Sequence, residues 1–210
     1  MKLSSSHRAF LQKATIQYSQ HIDQAEEYLA TRGLSVEEAR AFGLGVVVDP
    51  LPSHEAIAGR LTIPYITPSG VVDLRTRAMH GEEPKYLGLP GAETTMFNTN
   101  AIFTATKYIC LTEGEFDCIL MTAKTQHPTV GIPGASSWKP HYARILDDFD
   151  IVIVLADGDK AGSEMGKKVG RELSNVNVIP MPDGEDVNSV ILKYGKDWID
   201  ERINECVTAG

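Results

Sequence analysis

The sequence predicts an α/β domain with a mostly parallel sheet in its second half, preceded by a smaller α+β region. Three observations carry that prediction. From residue 108 onward, short apolar runs alternate with helix-length stretches, the pattern of parallel strands joined by helices that cover both faces of the sheet. Ile151–Ala156 is a run of six apolar residues, as expected of a strand buried on both sides. Residues 46–104 instead hold two β-like segments around Pro68-Ser69-Gly70, which reads as a hairpin turn.

Along the chain, residues 1–14 are polar and predict a frayed or loosely helical start. Ile22, Ala25, Tyr28 and Leu29 recur at helical spacing within 17–31, and Gly33 ends the run. Ser35 followed by Glu38 fits a capping box. It opens a second short helix with Val36, Ala39 and Phe42 on one face, stopped at Gly43. Leu61–Thr67 and 71–78 form the hairpin, 81–91 is a glycine- and proline-containing loop, and 101–106 is a further short element. The second half reads as strand Tyr108–Thr112, helix 115–124, strand 129–132, helix Pro140–Leu146, strand Ile151–Ala156, helix 162–173, strand Val176–Pro180, then helices Val187–Tyr194 and 197–207. The expected division is an N-terminal α+β subdomain, 1–104, and an α/β domain with C-terminal helices, 105–210.

Composition narrows the function. No run approaches the roughly 18 apolar residues of a membrane span. The start, Met-Lys-Leu-Ser-Ser-Ser-His-Arg, lacks the apolar core of a secretory signal, so the expectation is a cytoplasmic protein with no membrane partner. Cys110, Cys118 and Cys206 lack the close paired spacing of a structural zinc site, and the histidines show no metal-ligand or triad spacing. The net charge of −8 argues, by itself, against a broad sequence-independent grip on DNA. Its placement is uneven, however. Residues 1–110 hold 10 Lys+Arg against 11 Asp+Glu, whereas residues 111–210 hold 10 against 17. A bound cation in that second half would offset part of the excess.

The acids cluster where such a fold binds ligands, beyond the carboxyl ends of its strands. Glu113-Gly114-Glu115-Phe116-Asp117 follows the first strand of the second half, Asp157-Gly158-Asp159-Lys160-Ala161-Gly162 follows the most apolar one, and Pro182-Asp183-Gly184-Glu185-Asp186 follows the last. Hard cations such as Mg²⁺ take carboxylate oxygens, water and substrate phosphates. Glycines beside the acids let the backbone turn sharply, and Asp157 with Asp159 suits a clamp on one or two ions. Acids after strands also serve as helix N-caps. Asp159 is open to either role, Glu115 is assigned to the cap, and Asp117 is a surface charge or a supporting group one turn from Glu113.

Thr112-Glu113-Gly114-Glu115-Phe116-Asp117 followed by Leu155-Ala156-Asp157-Gly158-Asp159-Lys160-Ala161-Gly162 resembles the Toprim domain of bacterial DnaG-type primases and their phage relatives. Pro182-Asp183-Gly184-Glu185-Asp186 is similar to the stretch that closes their metal site. Earlier segments also match in order: Gly33 to Gly45 resembles the helical start of the primase core. Gly59-Arg60-Leu61-Thr62-Ile63-Pro64-Tyr65, Arg77-Ala78-Met79 and Glu83-Pro84-Lys85-Tyr86-Leu87 resemble its basic subdomain. The resemblance spans roughly 25–205. It implies a DNA-directed RNA polymerase that joins ribonucleoside triphosphates on a single-stranded DNA template. Glu113, Asp157 and Asp159 would be catalytic and hold Mg²⁺ or Mn²⁺, Asp117 and Asp186 would be further acidic ligands, and Arg60, Arg77 and Lys85 would contact template or nucleotide.

Two departures stand out. Asn188 takes the place of a second aspartate beyond Asp186, and the neutral Phe97-Asn98-Thr99-Asn100 replaces a stretch that carries Lys or Arg in the family. The expected chain has neither zinc module nor helicase-binding domain, which implies a separate zinc-module protein and a replicative helicase as partners and a phage or mobile-element setting. For Arg60 and Arg77 the alternative is a solvated strand face. Arg75 and Arg77 share one side of their strand by period 2. The small-residue loop Gly131 to Ser137 is open to a place near phosphates or a tight strand-to-helix turn, and Trp138 reads as a helix cover in preference to a base-stacking ring. Two other functions use the same residues: a Toprim nuclease, and a non-catalytic nucleic-acid or replisome-binding module.

Overall fold

The hairpin forms where the sequence places it, and a larger antiparallel sheet grows from it. The computed structural model describes residues 3–93, 95–134 and 137–209, and the chain divides into two units, Met1–Thr94 and Thr95–Gly210. In the first, β1 (Gly45–Val46), β2 (Leu61–Thr67), β3 (Gly70–Arg77) and β4 (Tyr86–Gly88) pair antiparallel in that spatial order. β4 lies within the stretch expected to be a loop. It pairs Arg77 with Tyr86 and Arg75 with Gly88, so tertiary pairing overrides the turn-forming composition.

The chain start is also more ordered than its composition suggests. α1 (Ser5–Ser19) is a full helix, capped by the Ser4 hydroxyl accepting from the His7 N–H. Its Leu11, Ala14, Thr15 and Tyr18 follow the i, i+3, i+4, i+7 spacing and are buried, one narrow stripe under a polar surface. The helix expected over 17–31 is interrupted: α1 stops at Ser19, a 3₁₀ turn spans Ile22–Ala25, and α2 is Glu26–Thr31. The Ser35–Glu38 capping box forms with both reciprocal bonds, 3.1 and 2.8 Å, at the head of α3 (Val36–Ala41). Phe42 is the C-cap of that helix.

In the second unit, β5 (Tyr108–Thr112), β6 (Thr129–Gly131), β7 (Ile151–Ala156) and β8 (Val176–Pro180) are all parallel, in the order β6-β5-β7-β8. Helices α4 (Asn100–Thr104), α5 (Glu115–Thr125), α6 (Pro140–Leu146), α7 (Lys160–Glu172), α8 (Val187–Tyr194) and α9 (Asp197–Ala209) surround it. Residues between 95 and the expected boundary at 104 pack here: Met96 and Ala101 join the core of this sheet, and Phe97 bridges Gly131. Trp138 is buried in the same core against Tyr142, as helix cover. Ala135 and Ser136 of the small-residue loop lie outside the described residues.

Strand order decides where a site can be. β5 leads through α5 to β6 on one side, and β7 leads through α7 to β8 on the other. The loops leaving the carboxyl ends of β5 and β7 therefore diverge, which opens a crevice between two adjacent strands.

Candidate active site

Glu113 is the first residue past β5 and Asp157 the first past β7, so the topology sets both at that crevice. Glu113 is 8% exposed, and the Asp157 backbone N–H bonds to its carboxylate. The third acidic turn is drawn in by backbone pairing. Gly158 N–H donates to the Glu185 carbonyl at 2.8 Å, and Gly184 N–H donates to the Gly158 carbonyl at 2.7 Å. Gly158 is required by this approach, because a Cβ there would sit 1.9 Å from the Pro182 carbonyl oxygen.

The remaining acids each hold a helix. Asp159 caps α7, its Oδ1 accepting from the Gly162 N–H at 2.9 Å. Asp186 caps α8 in a reciprocal pair: Oδ1 accepts from Ser189 N–H at 2.7 Å, and Ser189 Oγ accepts from Asp186 N–H at 2.9 Å. Asp117, buried in the first turn of α5, accepts from the backbone N–H of Asn188 at 3.0 Å, which ties the heads of α5 and α8 together. Glu115 is not a cap. Gly114 occupies the N-cap position in extended backbone without a side-chain bond, and Glu115 is the first helical residue, 1% exposed.

Two oxygens stand apart. Glu113 Oε1 and Asp157 Oδ1 are buried and accept no hydrogen bond from the described residues, an expensive state for a carboxylate. Burial pushes Asp157 up to about 8, reinforced by the charges of Asp117, Glu113, Asp186 and Asp159. Burial and then Asp159 push Glu113 up to about 7, against the pull of the Asp157 N–H, with Asp117 adding to the rise. Mutual repulsion in a half-buried crevice is the condition that a bound cation relieves. The donors are all oxygen, which fits a hard divalent ion. Among the described residues no group of three His, Cys, Asp or Glu is close enough to hold a metal, so ligands from water or substrate would have to complete its shell.

The basic residues of the first unit are placed differently. Arg60 is 6% exposed; its Nε donates to Thr76 Oγ1 at 3.2 Å, and Nη2 to the carbonyls of Pro84 and Lys85. Arg77 is also buried and donates to the hydroxyls of Tyr28 and Tyr86. Arg75 and Arg77 do share a face, both lying over the Tyr86 ring at 4.4 and 4.8 Å. Neither Arg60 nor Arg77 lies on a solvated strand face. Lys85 is exposed, on the segment whose carbonyls Arg60 holds.

The Toprim-like family model matches residues 110–191, the stretch that contains all five acids. The chain is 42% identical to the Gene 57 protein of Mycobacterium phage D29 over 151 residues, covering 69% of this chain and 98% of that one. It is 29% identical to the DNA primase of Staphylococcus aureus (strain COL) over 187 residues, 81% of this chain and 31% of that primase. The chain belongs to the DnaG-type primase family, as a Toprim-containing catalytic core. It spans about a third of the length of the curated primases it matches. The fold agrees: the Aquifex aeolicus primase structure of zinc-binding and RNA polymerase domains superposes with a TM-score of 0.79 at 22% identity, covering 97% of this chain and 62% of that one.

Within this DnaG-type core, two contributors escaped sequence reading. The backbone of Asn188 is a donor to Asp117, a role no side-chain pattern reports. Ser189 completes the Asp186 capping box; an Asp followed three residues later by Ser is a weaker signal than the Ser-x-x-Glu form.

Proposed function

We propose that this primase-family core makes short RNA primers on single-stranded DNA by metal-dependent nucleotidyl transfer, acting as a DNA-directed RNA polymerase. One observation carries the reading: Glu113 and Asp157 lie at the crevice where the loops after β5 and β7 diverge, with buried oxygens that accept no hydrogen bond from the described residues. Of the acids Glu113, Asp157 and Asp159, the first two would hold Mg²⁺ or Mn²⁺ directly, and Asp159, whose Oδ1 caps α7, would join them through water or substrate. A divalent ion supplies Lewis-acid stabilisation of the phosphate charge that develops in transfer. The chain's own part is to keep those oxygens aimed and dehydrated, with Asp117 and Asp186 fixing the heads of α5 and α8 and adding negative charge.

In this reading Lys85 meets template or nucleotide, while Arg60 and Arg77 brace that surface, Arg60 by holding the Lys85 segment and Arg77 by holding Tyr28 and Tyr86. The acidic α/β unit and the antiparallel unit that carries Arg60, Arg77 and Lys85 are its two functional domains. The likeness to a phage gene product supports a role in phage DNA replication within host cytoplasm. A zinc-module protein and a replicative helicase are the proposed partners, a reading supported by the Aquifex aeolicus primase structure, which joins zinc-binding and RNA polymerase domains.

A primer-synthesis assay with labelled ribonucleotides, Mg²⁺ and single-stranded DNA tests the function, run alone and with a zinc-module protein. Ribonucleotide-dependent products of defined length are expected, and Glu113→Gln should remove them. Shortening of the template without ribonucleotide incorporation would establish a Toprim nuclease instead.

A further inference from the structure

Three grooves run into one another around β8, the edge strand of the parallel sheet. The first, about 280 Å³, adjoins the acid crevice and is lined by Asp157, Asp159 and Asp186. The second, about 590 Å³, shares Asp157 and Asp159 with it and passes between α7 and β8, with Lys160, Ser163 and Lys167 on one wall and Val178, Pro180 and Met181 on the other. The third, about 400 Å³, shares Val178, Pro180 and Met181, turns round the sheet edge, and ends on Trp198 and Arg202 of α9.

Acids line all three grooves, Asp183 in the second and Glu205 in the third, and the cations that face them come from α7 and α9. α7 carries Lys160, Lys167, Lys168 and Arg171 against Glu164 and Glu172, a basic helix in the acidic half of the protein. Lys160, Ser163 and Lys167 are spaced i, i+3, i+7 and so lie along one face, the two lysines about 10 Å apart on the axis. The opposite face, with Met165 and Val169, is buried in the core. Gly166 keeps the helix close to the strand, since a Cβ there would meet Val178 Cγ1 at 3.1 Å. At the far end the Arg202 guanidinium covers the Trp198 ring at 3.5 Å, and the half-exposed Tyr194 stacks beside it at 6.3 Å and 29°. Cations followed by a guanidinium plane backed by an aromatic ring are elements that grip a single nucleic-acid strand, by its phosphates and by a stacked base.

We propose that this groove system is a binding track for one nucleic-acid strand running out of the acid site. Lys160, Ser163 and Lys167 hold successive backbone phosphates, and Trp198 with Arg202 stacks a base. The track rests on the reading of the acids as a nucleotidyl-transfer centre. Template DNA and nascent RNA offer the same chemistry here, so the test uses both.

Fluorescence anisotropy of labelled dT and rU 15-mers, titrated with the whole chain at several salt concentrations, decides the matter. Lys160→Ala/Lys167→Ala should weaken binding about tenfold and lower the salt slope by about 1.4, two phosphates at about 0.7 each. Trp198→Ala should weaken binding about fivefold with the slope unchanged, as lost stacking predicts, and Trp198→Phe should restore most of it. Tighter rU binding identifies the nascent strand and tighter dT binding the template; either supports the track. Affinity and slope within twofold of the parent chain in both the lysine and Trp198→Ala variants overturn it. A parent chain that binds the 15-mers as expected yet makes no primers counts against the catalytic reading alone and leaves the track standing.

Discussion

The acids of the second unit and the arginines of the first are both buried charges, yet they are held in opposite states. Arg60 and Arg77 are satisfied from within, by carbonyls, a threonine and two tyrosine hydroxyls. Glu113 and Asp157 crowd other carboxylates and keep one buried oxygen each that accepts no hydrogen bond from the described residues. A satisfied buried charge stabilises its surroundings, and an uncompensated one destabilises the fold until something binds. The contrast teaches that the two basic and acidic sets resembling family motifs do different physical work: one braces, the other waits for a cation.

The largest effect should come from breaking the uncompensated side. Asp157→Asn should lower primer synthesis by about 10³-fold while making the metal-free protein more stable. The sign follows from proton binding. Asp157 and Glu113 are raised to about 8 and about 7 from ordinary values of 3.8 and 4.5, so between about pH 4 and pH 8 the folded chain binds more protons than the unfolded one. Stability from these groups therefore falls as pH rises through that window. The gain from Asp157→Asn should be absent near pH 4 and reach about 1–2 kcal/mol at pH 8, seen as melting temperatures in EDTA. Mg²⁺ should raise the melting temperature of the parent chain more than that of the variant. A variant less stable than the parent at pH 8 would mean that these carboxylates are compensated after all.

The next pair sharpens the satisfied side. Arg60→Met leaves the Pro84 and Lys85 carbonyls and Thr76 without their donor, and should cost about 2–3 kcal/mol in denaturant unfolding. Lys85→Ala, at an exposed position, should stay within about 0.5 kcal/mol but weaken template or nucleotide binding. Equal stability losses in the two variants would erase the distinction between brace and contact. Gly158→Ala belongs with Arg60→Met in size, about 2–3 kcal/mol, because its methyl group would meet the Pro182 carbonyl oxygen at 1.9 Å and force the acidic turns apart.

How much of this was legible in the sequence depended on the range of the interaction. β5, α6, β7, β8 and α8 have the bounds expected from the residues, because apolar runs and capping residues are local signals. α1 was obscured because its apolar stripe is narrow and its surface polar, and β4 because its pairing with β3 is set by tertiary contact. At the site, strand-end position pointed to all five acids. It did not reveal that Asp117 reaches a backbone N–H 71 residues away, or that Arg60 turns inward. Those facts depend on where side chains point once the units are built.

Asp186 is the place where the two states overlap, and the smallest predicted effect separates them. Its carboxylate caps α8 through the Ser189 N–H and also raises Asp157 by its charge. Asn caps nearly as well as Asp, while Ala does not. Asp186→Asn should therefore leave stability within a few tenths of a kcal/mol, and Asp186→Ala should cost about 1 kcal/mol. If the charge serves the ion, primer synthesis at limiting Mg²⁺ falls alike in both variants and recovers at high Mg²⁺. If only the cap matters, Asp186→Asn behaves as the parent chain and the loss is confined to Asp186→Ala. The Mg²⁺ dependence of synthesis in these two variants, set beside their melting curves, tells whether Asp186 belongs with the bracing residues or with the acids that await a cation.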